Sequence, residues 1–273
     1  MASPTEITVS QLVRLVGTPQ APVIIDVRAS EDFDAAPLLL PAAQWRDYRD
    51  VAGWAGGFAG QPVVVVCQQG QKLSQGVAAW LRHAGVAADT LAGGFKCWQA
   101  GGGLLVRVAA LPPRHAQGRM VWVTRARPKV DRIACPWLIR RFVDPHAVFL
   151  FVAPSEVLAV AERFGGTAFD IDDVFWSHRG ATCTFDTMLH EFGLKSPALD
   201  QLALIVRAAD TARLDLAPQA AGLLAASLGF SQMYRDDLAQ LDAAMPLYDA
   251  FYRWCRDAGG ETHNWPAAKA AAQ

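Results

Sequence analysis

The sequence lacks most features that mark an exported, membrane or nucleic-acid-binding protein. Its five cysteines include no CxxC pair, and an odd number of scattered thiols suits a reducing compartment better than a disulfide framework. No apolar run is long enough to span a bilayer, and no basic start followed by a long apolar stretch marks a signal peptide. The formal net charge of −1 lacks the Lys and Arg excess that duplex binding normally leaves. We therefore expect a cytoplasmic protein with no membrane and no nucleic-acid partner.

The length and composition predict two globular domains. The chain has 273 residues, of which 52% are hydrophobic and 19% charged, and this length is comfortable for two domains with separate cores. The glycine- and proline-rich stretch that contains residues 101–103 and 112–113 is a natural linker. We predict a first domain over residues 1–103, a linker over 104–119 and a second domain over 120–273.

Hydrophobic periodicity predicts an α/β fold for the first domain. A short helix is expected over residues 10–17, with Ser10 as its N-cap. The β-branched runs at 23–27 and 63–66 look like central strands of a parallel sheet, and a helix and a strand near 88–91 follow the second run. This β-α-β-α order is typical of a parallel sheet flanked by helices.

The second domain is predicted to begin as α/β and to become mostly α-helical. Strands are expected at residues 121–123 and 148–152, with a helix between them that starts near Pro136. Further helices are predicted over residues 184–192, 198–214, 217–229 and 235–257.

The strongest chemical signal is Cys67, which stands where a buried strand ends and a helix begins. Backbone N–H groups at a helix N-terminus, together with Lys72, would favour the nucleophilic thiolate. The same amides would cradle an anion, and Gly70 lets the loop curl. The sequence predicts Cys67 as the catalytic residue. The predicted substrate-binding residues are Gln68, Gln69, Gly70, Gln71, Lys72, Leu73 and Ser74.

Three separated motifs resemble the rhodanese family of sulfurtransferases over about residues 5–103. The similar motifs are Asp26-Val27-Arg28 followed by Glu31-Asp32-Phe33, Cys67 with Gly70, and Leu91-Ala92-Gly93-Gly94-Phe95-Lys96-Cys97-Trp98. The resemblance implies that Cys67 takes a sulfane sulfur from a small anionic donor such as thiosulfate and holds it as a persulfide. The sulfur then passes to a thiophilic acceptor, with no cofactor required. Asp26 and Arg28 would be structural supports.

The loop after Cys67 departs from the rhodanese pattern in a way that leaves other chemistry open. Leu73 stands where a small Ser or Thr is common, and the loop reads as one residue longer than usual, which suits a bigger anion. In relatives of the fold, longer loops accompany phosphatase or arsenate-reductase activity.

Two stretches of the second domain are rich in residues that bind anions or metals. In residues 127–142, Pro136 fits the first position of a helix, which would make Cys135 its N-cap beside several arginines. The candidate site residues are Asp131, Arg132, Cys135, Arg140, Arg141, His178, Arg179, Cys183, Asp186 and Asp210. A metal ion on His178 with Asp186 or Cys183 is conceivable. By spacing alone, an amphipathic helix with solvated arginines is the favoured explanation of the first stretch.

The second domain is similar to the C-terminal domain family of bacterial chromate-resistance B proteins over about residues 120–257. The matching stretches are 127–142, 169–185 and 205–222. The resemblance implies a role in resistance to, or sensing of, chromate, with chromate as a candidate ligand. We therefore predict a rhodanese-type sulfurtransferase linked to chromate resistance or sensing. The alternatives are a non-catalytic sensor of chromate or another oxyanion, and a thiol-dependent oxyanion reductase.

Overall fold

The computed structural model describes residues 5–115 and 118–261, and its first part is a parallel sheet flanked by helices. Five strands are hydrogen-bonded in the order β1-β6-β5-β2-β4, and all four neighbouring pairs are parallel. The predicted fold class of this part is confirmed. Its strands are β1 (Glu6–Ile7), β2 (Val23–Asp26), β3 (Leu38–Leu39), β4 (Gln44–Trp45), β5 (Val63–Val66), β6 (Ala88–Leu91) and β7 (Val106–Arg107), and its helices are α1 (Val9–Leu15), α2 (Ser30–Ala35), α3 (Val51–Trp54), α4 (Lys72–His83) and α5 (Gly94–Ala100).

The centre of this sheet is its topological switch point. β5 is four consecutive valines, all buried, as expected for a strand covered by helices on both faces. It pairs with β2, and the chain continues from these two strands toward opposite edges of the sheet. Ligands of open α/β sheets bind at the carboxyl ends of the strands beside such a point. The carboxyl ends here lead into Cys67 after β5 and Arg28 after β2.

The first helix begins slightly earlier than the sequence predicts. Thr8, not Ser10, is the N-cap of α1. The Thr8 hydroxyl accepts a hydrogen bond from the Gln11 backbone N–H, and the Gln11 side chain accepts one from the Thr8 N–H. This reciprocal capping box satisfies two donors that a start at Ser10 would leave unpaired.

The second part is a small parallel sheet that gives way to a layer of helices, so the predicted α/β-to-helical order is confirmed. Its three strands lie in the order β10-β8-β9. Within the described ranges, no helix combines the length and the apolar character needed to cross a membrane. The strands are β8 (Val121–Arg125), β9 (Val148–Val152) and β10 (Thr167–Ala168), and the helices are α6 (Asp131–Phe142), α7 (Val157–Arg163), α8 (Thr184–Phe192), α9 (Pro197–Asp210), α10 (Ala220–Met233) and α11 (Asp237–Arg253), which continues as a π-helical turn over Trp254–Ala258.

The start of α6 differs from the prediction. The helix begins at Asp131, so Pro136 lies inside it and Cys135 is not its N-cap. Ile133 and Ala134, on the turn before the proline, are fully buried in the core. The preference of proline for the first helical position predicts no helical turn before Pro136. The packing of Ile133 and Ala134 stabilises that turn, although Pro136 leaves one intrahelical hydrogen bond unmade.

The two parts pack against each other through a shared hydrophobic cluster. Leu12 and Val16 of the first part belong to the same buried cluster as Phe142 and Tyr252 of the second. At Gly17 the approach is so close that an added Cβ would lie 2.3 Å from Phe142 Cζ. Part of the predicted linker is also ordered, since β7 pairs with β3 in an antiparallel register. The domain boundaries themselves stay a prediction.

Candidate functional sites

The sulfur of Cys67 lies against the first turn of α4. Its thiol donates to Ser74 Oγ at 3.1 Å, and the Ser74 hydroxyl donates to the Gln71 carbonyl at 3.1 Å. Ser74 is the third residue of α4 and is buried. Cys67 itself is only 4% exposed. The thiol is thus fixed at a helix N-terminus, where unpaired backbone N–H groups carry partial positive charge.

A glycine turn holds the Cys67 loop in shape. The Phe95 N–H donates to the Cys67 carbonyl at 2.9 Å, and the Lys96 N–H donates to the Gln68 carbonyl at 3.1 Å. Gly94, with φ +61°, lies so close that an added Cβ would stand 2.2 Å from the Cys67 carbonyl oxygen and 2.4 Å from Gly70 N. The loop and the turn after β6 therefore interlock through backbone atoms.

The predicted supports of this loop form a buried ion pair. The Arg28 guanidinium lies 2.7 Å from the Asp26 carboxylate, and neither side chain is exposed. Arg28 also donates to the backbone carbonyls of Ala36 and Leu38 and lies 3.8 Å from the centre of the Phe95 ring. It thereby ties the end of β2 to the residue that clamps Cys67.

The remaining predicted loop residues differ in exposure. Gln69, Gln71 and Lys72 are exposed, whereas Leu73 is half-buried and packs against the cluster that contains Cys67. The Gln68 side-chain oxygen is buried and has no hydrogen-bond partner in the described part of the chain. The anion-binding role of these residues stays a prediction.

A second candidate site is centred on the imidazole of His178. Its Nε2 lies 3.2 Å from an Asp170 oxygen, 3.3 Å from an Asp210 oxygen and 3.6 Å from an Asp131 oxygen. The His178 side chain is 40% exposed, while Asp131 and Asp170 are almost completely buried. Three carboxylates from three separate segments thus converge on one half-exposed ring. The structure therefore brings together three residues that the sequence predicted as candidates, namely Asp131, His178 and Asp210.

Two helix starts position the buried carboxylates. Asp131, the first residue of α6, accepts hydrogen bonds from the backbone N–H groups of Thr184 at 2.7 Å and Phe185 at 3.0 Å. It therefore caps the N-terminus of α8, where a negative charge is favoured. Asp170 accepts from the Thr184 hydroxyl at 2.9 Å and lies 3.3 Å from Arg132 Nε.

The cluster shifts the pKa values of its members in opposite directions. Hydrogen bonds to Asp170 and Asp210 raise the pKa of His178 from 6.5 to about 10. Burial, together with the charges of Asp170 and Asp210, raises the pKa of Asp131. Burial opposes ionisation of Asp170 too, but hydrogen bonds from His178 and Thr184 lower its pKa overall. In the absence of another cation, the imidazole is protonated at neutral pH.

Replacing His178 with glutamine is expected to flatten the pH dependence of stability. Because the folded state keeps a proton on His178 that the unfolded chain has lost above about pH 6.5, stability falls as the pH rises. This contribution is fully present below about pH 6.5 and disappears as the pH passes about 10. Urea unfolding at several pH values, with a chelator present, should give a steeper decline for the native chain than for His178→Gln. Equal slopes would contradict the assigned proton.

Of the other candidates in the second domain, Cys135 contacts the cluster, because its thiol donates to the Asp131 carboxylate at 3.5 Å, and the rest pair elsewhere. Cys135 and Cys183 are buried, and burial raises the pKa of both thiols, which disfavours the thiolate form of each. The metal prediction that used Asp186 differs from the observed placement, because this carboxylate accepts from the Cys183 N–H and lies 3.2 Å from Arg207 Nε. The three arginines pair elsewhere: Arg140 with Asp242, Arg141 with Asp249 and Arg179 with Glu191.

Sequence reasoning did not select two residues that the structure adds to the cluster. Asp170 belongs to a carboxylate-rich stretch but was not singled out, and Arg125 at the end of β8 lies 3.4 Å from it. The sequence gives only a weak indication that Asp170 belongs to a site, namely that it directly follows the buried Phe169 at the end of an apolar stretch. Its left-handed φ of +53° could not be read from the residue type, although Asp tolerates that conformation better than most residues.

The second part of the chain is similar to a known protein family. Residues 122–255 match the family described as ChrB, C-terminal domain. The chain is also similar to Protein ChrB of Cupriavidus metallidurans, with 34% identity over 146 residues, which are 51% of this chain and 42% of that protein. The chain thus spans less than half the length of this curated relative.

The solved structures that resemble this chain include rhodanese-like domains. A rhodanese-like domain protein of Staphylococcus aureus is 24% identical, with a TM-score of 0.32 over 34% of this chain and 90% of that one. A single-domain sulfurtransferase of Saccharomyces cerevisiae is 18% identical, with a TM-score of 0.30 over 37% of this chain and 94% of that one.

Proposed function

We propose, for a chain whose residues 122–255 match the ChrB C-terminal domain family, that Cys67 carries sulfane sulfur as a persulfide within a chromate-resistance protein. One observation carries this proposal: the Cys67 sulfur lies on the first turn of α4, hydrogen-bonded to Ser74. The N–H groups of that turn would stabilise the negative charge of a persulfide and of an anionic donor.

The proposed reaction has two balanced steps. The Cys67 thiolate attacks the outer sulfur of thiosulfate, the sulfur–sulfur bond of the donor breaks, and sulfite leaves with the bonding electron pair. A thiophilic acceptor such as cyanide then attacks the terminal sulfur of the persulfide, which yields thiocyanate and restores the thiolate. Neither step needs a metal, an external oxidant or a second thiol.

Two buried cysteines are unsuited to the resolving role that the reductase alternative requires. A thiol-dependent oxyanion reductase needs a second thiol to resolve its intermediate. Cys135 and Cys183 are buried in the second part of the chain, and burial raises the pKa of both thiols, which disfavours the thiolate that resolution requires. Cys97 is exposed and provides a control for nonspecific thiol chemistry.

The test is thiosulfate:cyanide sulfurtransferase activity together with the intact mass of the thiosulfate-treated chain. We expect the native protein and Cys97→Ser to gain about 32 Da, the mass of one sulfur atom, and to produce thiocyanate. Cys67→Ser should do neither, because it lacks the nucleophile. An adduct that persists in Cys67→Ser would disprove the assignment. A native chain that neither gains mass nor turns over would make the loop an anion-binding platform, as the sensor alternative requires.

A further inference from the structure

We propose that Asp131, Asp170 and His178 form a binding site for a divalent transition-metal ion. The site lies in the second part of the chain and does not depend on sulfur transfer at Cys67. One ligand atom from each of the three residues lies within 4.8 Å of the other two.

The His178 nitrogen lies at ligand spacing from one oxygen of each buried carboxylate. Zinc–nitrogen and zinc–oxygen bonds are about 2.0–2.2 Å long, which separates neighbouring tetrahedral ligands by about 3.4 Å. The distances from His178 Nε2 to the Asp170 and Asp131 oxygens are 3.2 and 3.6 Å. A cation can therefore bind between these atoms after small side-chain shifts, with the ring nitrogen as a neutral ligand once its proton is lost.

A single proton on His178 Nε2 cannot form hydrogen bonds with all the carboxylates around it. Nε2 can donate one hydrogen, yet three carboxylate oxygens lie within 3.6 Å of it. Asp170 also has Arg132 and Arg125 beside it, but no Lys or Arg in the described ranges forms an ion pair with the buried Asp131. A buried carboxylate is costly without a positive partner. A divalent ion would contact the Asp131 and Asp170 oxygens that face the ring and supply the missing charge.

The donor set indicates which ligand the site would take. Three carboxylates disfavour a tetrahedral oxyanion directly at His178, because like charges repel. Two carboxylate oxygens and one imidazole nitrogen suit Mn²⁺ or Zn²⁺, and three protein ligands leave coordination positions open to water. Arg132 and the Thr184 hydroxyl would orient Asp170 from outside the coordination sphere, as partners of metal ligands commonly do. Asp210, 3.3 Å from the ring, would add charge at the rim.

Mn²⁺ is the probe of choice because it prefers oxygen ligands. A softer ion such as Zn²⁺ would also bind the exposed thiol of Cys97. The full chain would be treated with chelator, freed of it, and titrated with Mn²⁺ while the unbound ion is followed by electron paramagnetic resonance. His190→Gln is a matched control, since His190 is a surface histidine paired with Glu191. We expect one saturable site in the native chain and in His190→Gln, and at least tenfold weaker binding in His178→Gln.

A second variant guards against a folding artefact. Asp170→Asn keeps the shape of the side chain and removes its charge, so it should weaken Mn²⁺ binding while circular dichroism shows a native spectrum. The same titration in Cys67→Ser should match the native chain, which separates this site from the persulfide chemistry. The proposal is overturned if the native chain shows no saturable binding, or if folded His178→Gln binds Mn²⁺ as tightly as the native chain. Either result would identify the cluster as a closed ion-pair network around a protonated imidazole.

Discussion

Replacing Arg28 with methionine is expected to lower the free energy of unfolding by about 3–5 kcal/mol, the usual result of removing one partner from a buried ion pair. The methionine leaves Asp26 buried without its cation and leaves the carbonyls of Ala36 and Leu38 without the guanidinium that they bind. Burial already raises the pKa of Asp26, so its ionised form has little other support. Urea unfolding at neutral pH measures the loss.

The chain contains a matched control for this substitution. Asp47 and Arg49 form an ion pair with the same sequence spacing, but both side chains are exposed. Exposed pairs of this kind contribute little, because water and salt screen them. We therefore expect Arg49→Met to leave the unfolding midpoint unchanged within error. If Arg28→Met and Arg49→Met lowered the free energy of unfolding equally, burial would not be what makes the Asp26–Arg28 pair stabilising.

Gly94→Ala is expected to disrupt the Cys67 loop. The added methyl group would stand 2.2 Å from the Cys67 carbonyl and 2.4 Å from Gly70 N, both backbone atoms that cannot simply rotate away. The left-handed φ of +61° adds strain. Overpacking and backbone strain together should lower the free energy of unfolding by about 2–5 kcal/mol. If Cys67 carries sulfur as proposed, the yield of the thiosulfate adduct should fall in the same variant.

Gly76→Ala is the control in the same part of the fold. Gly76 lies within α4, is exposed, and an added Cβ would meet no atom within 4 Å. Alanine in an exposed helix interior is favoured over glycine by about 0.5–1 kcal/mol. We expect a modest gain in stability and an unchanged adduct yield. A Gly94→Ala chain as stable as Gly76→Ala would show that the turn after β6 moves freely and does not clamp the loop.

The sequence predicts the parts of the fold that rest on long, regular patterns. The four buried valines of β5 and the β-branched run of β2 were assigned correctly, because each fills a central strand. The two-residue strands β3 and β7 were missed, since two residues cannot show a period. The start of α6 was predicted incorrectly because proline preference is local, whereas the buried turn before Pro136 depends on tertiary packing.

The two candidate sites differ in how far the sequence could predict them. The Cys67 site is local: the strand, the loop and the helix that build it are contiguous, so position alone suggested the chemistry. The His178 cluster takes its carboxylates from residues 131, 170 and 210, which are brought together only when α8 is capped by Asp131 and the end of α9 approaches the same ring. No spacing rule connects such distant residues, and the sequence therefore favoured the nearer Asp186.

The close approach of Gly17 to Phe142 and Tyr252 has a mechanical consequence. Hinge motion requires an interface that can open at little cost, but here both parts contribute side chains to one continuous hydrophobic cluster. Arg256, beyond α11, also joins the two parts, because it donates to the carbonyls of Arg14 and Val16 at the end of α1. Opening a hinge between the two parts would therefore expose the apolar side chains of this shared cluster to water, which is unfavourable.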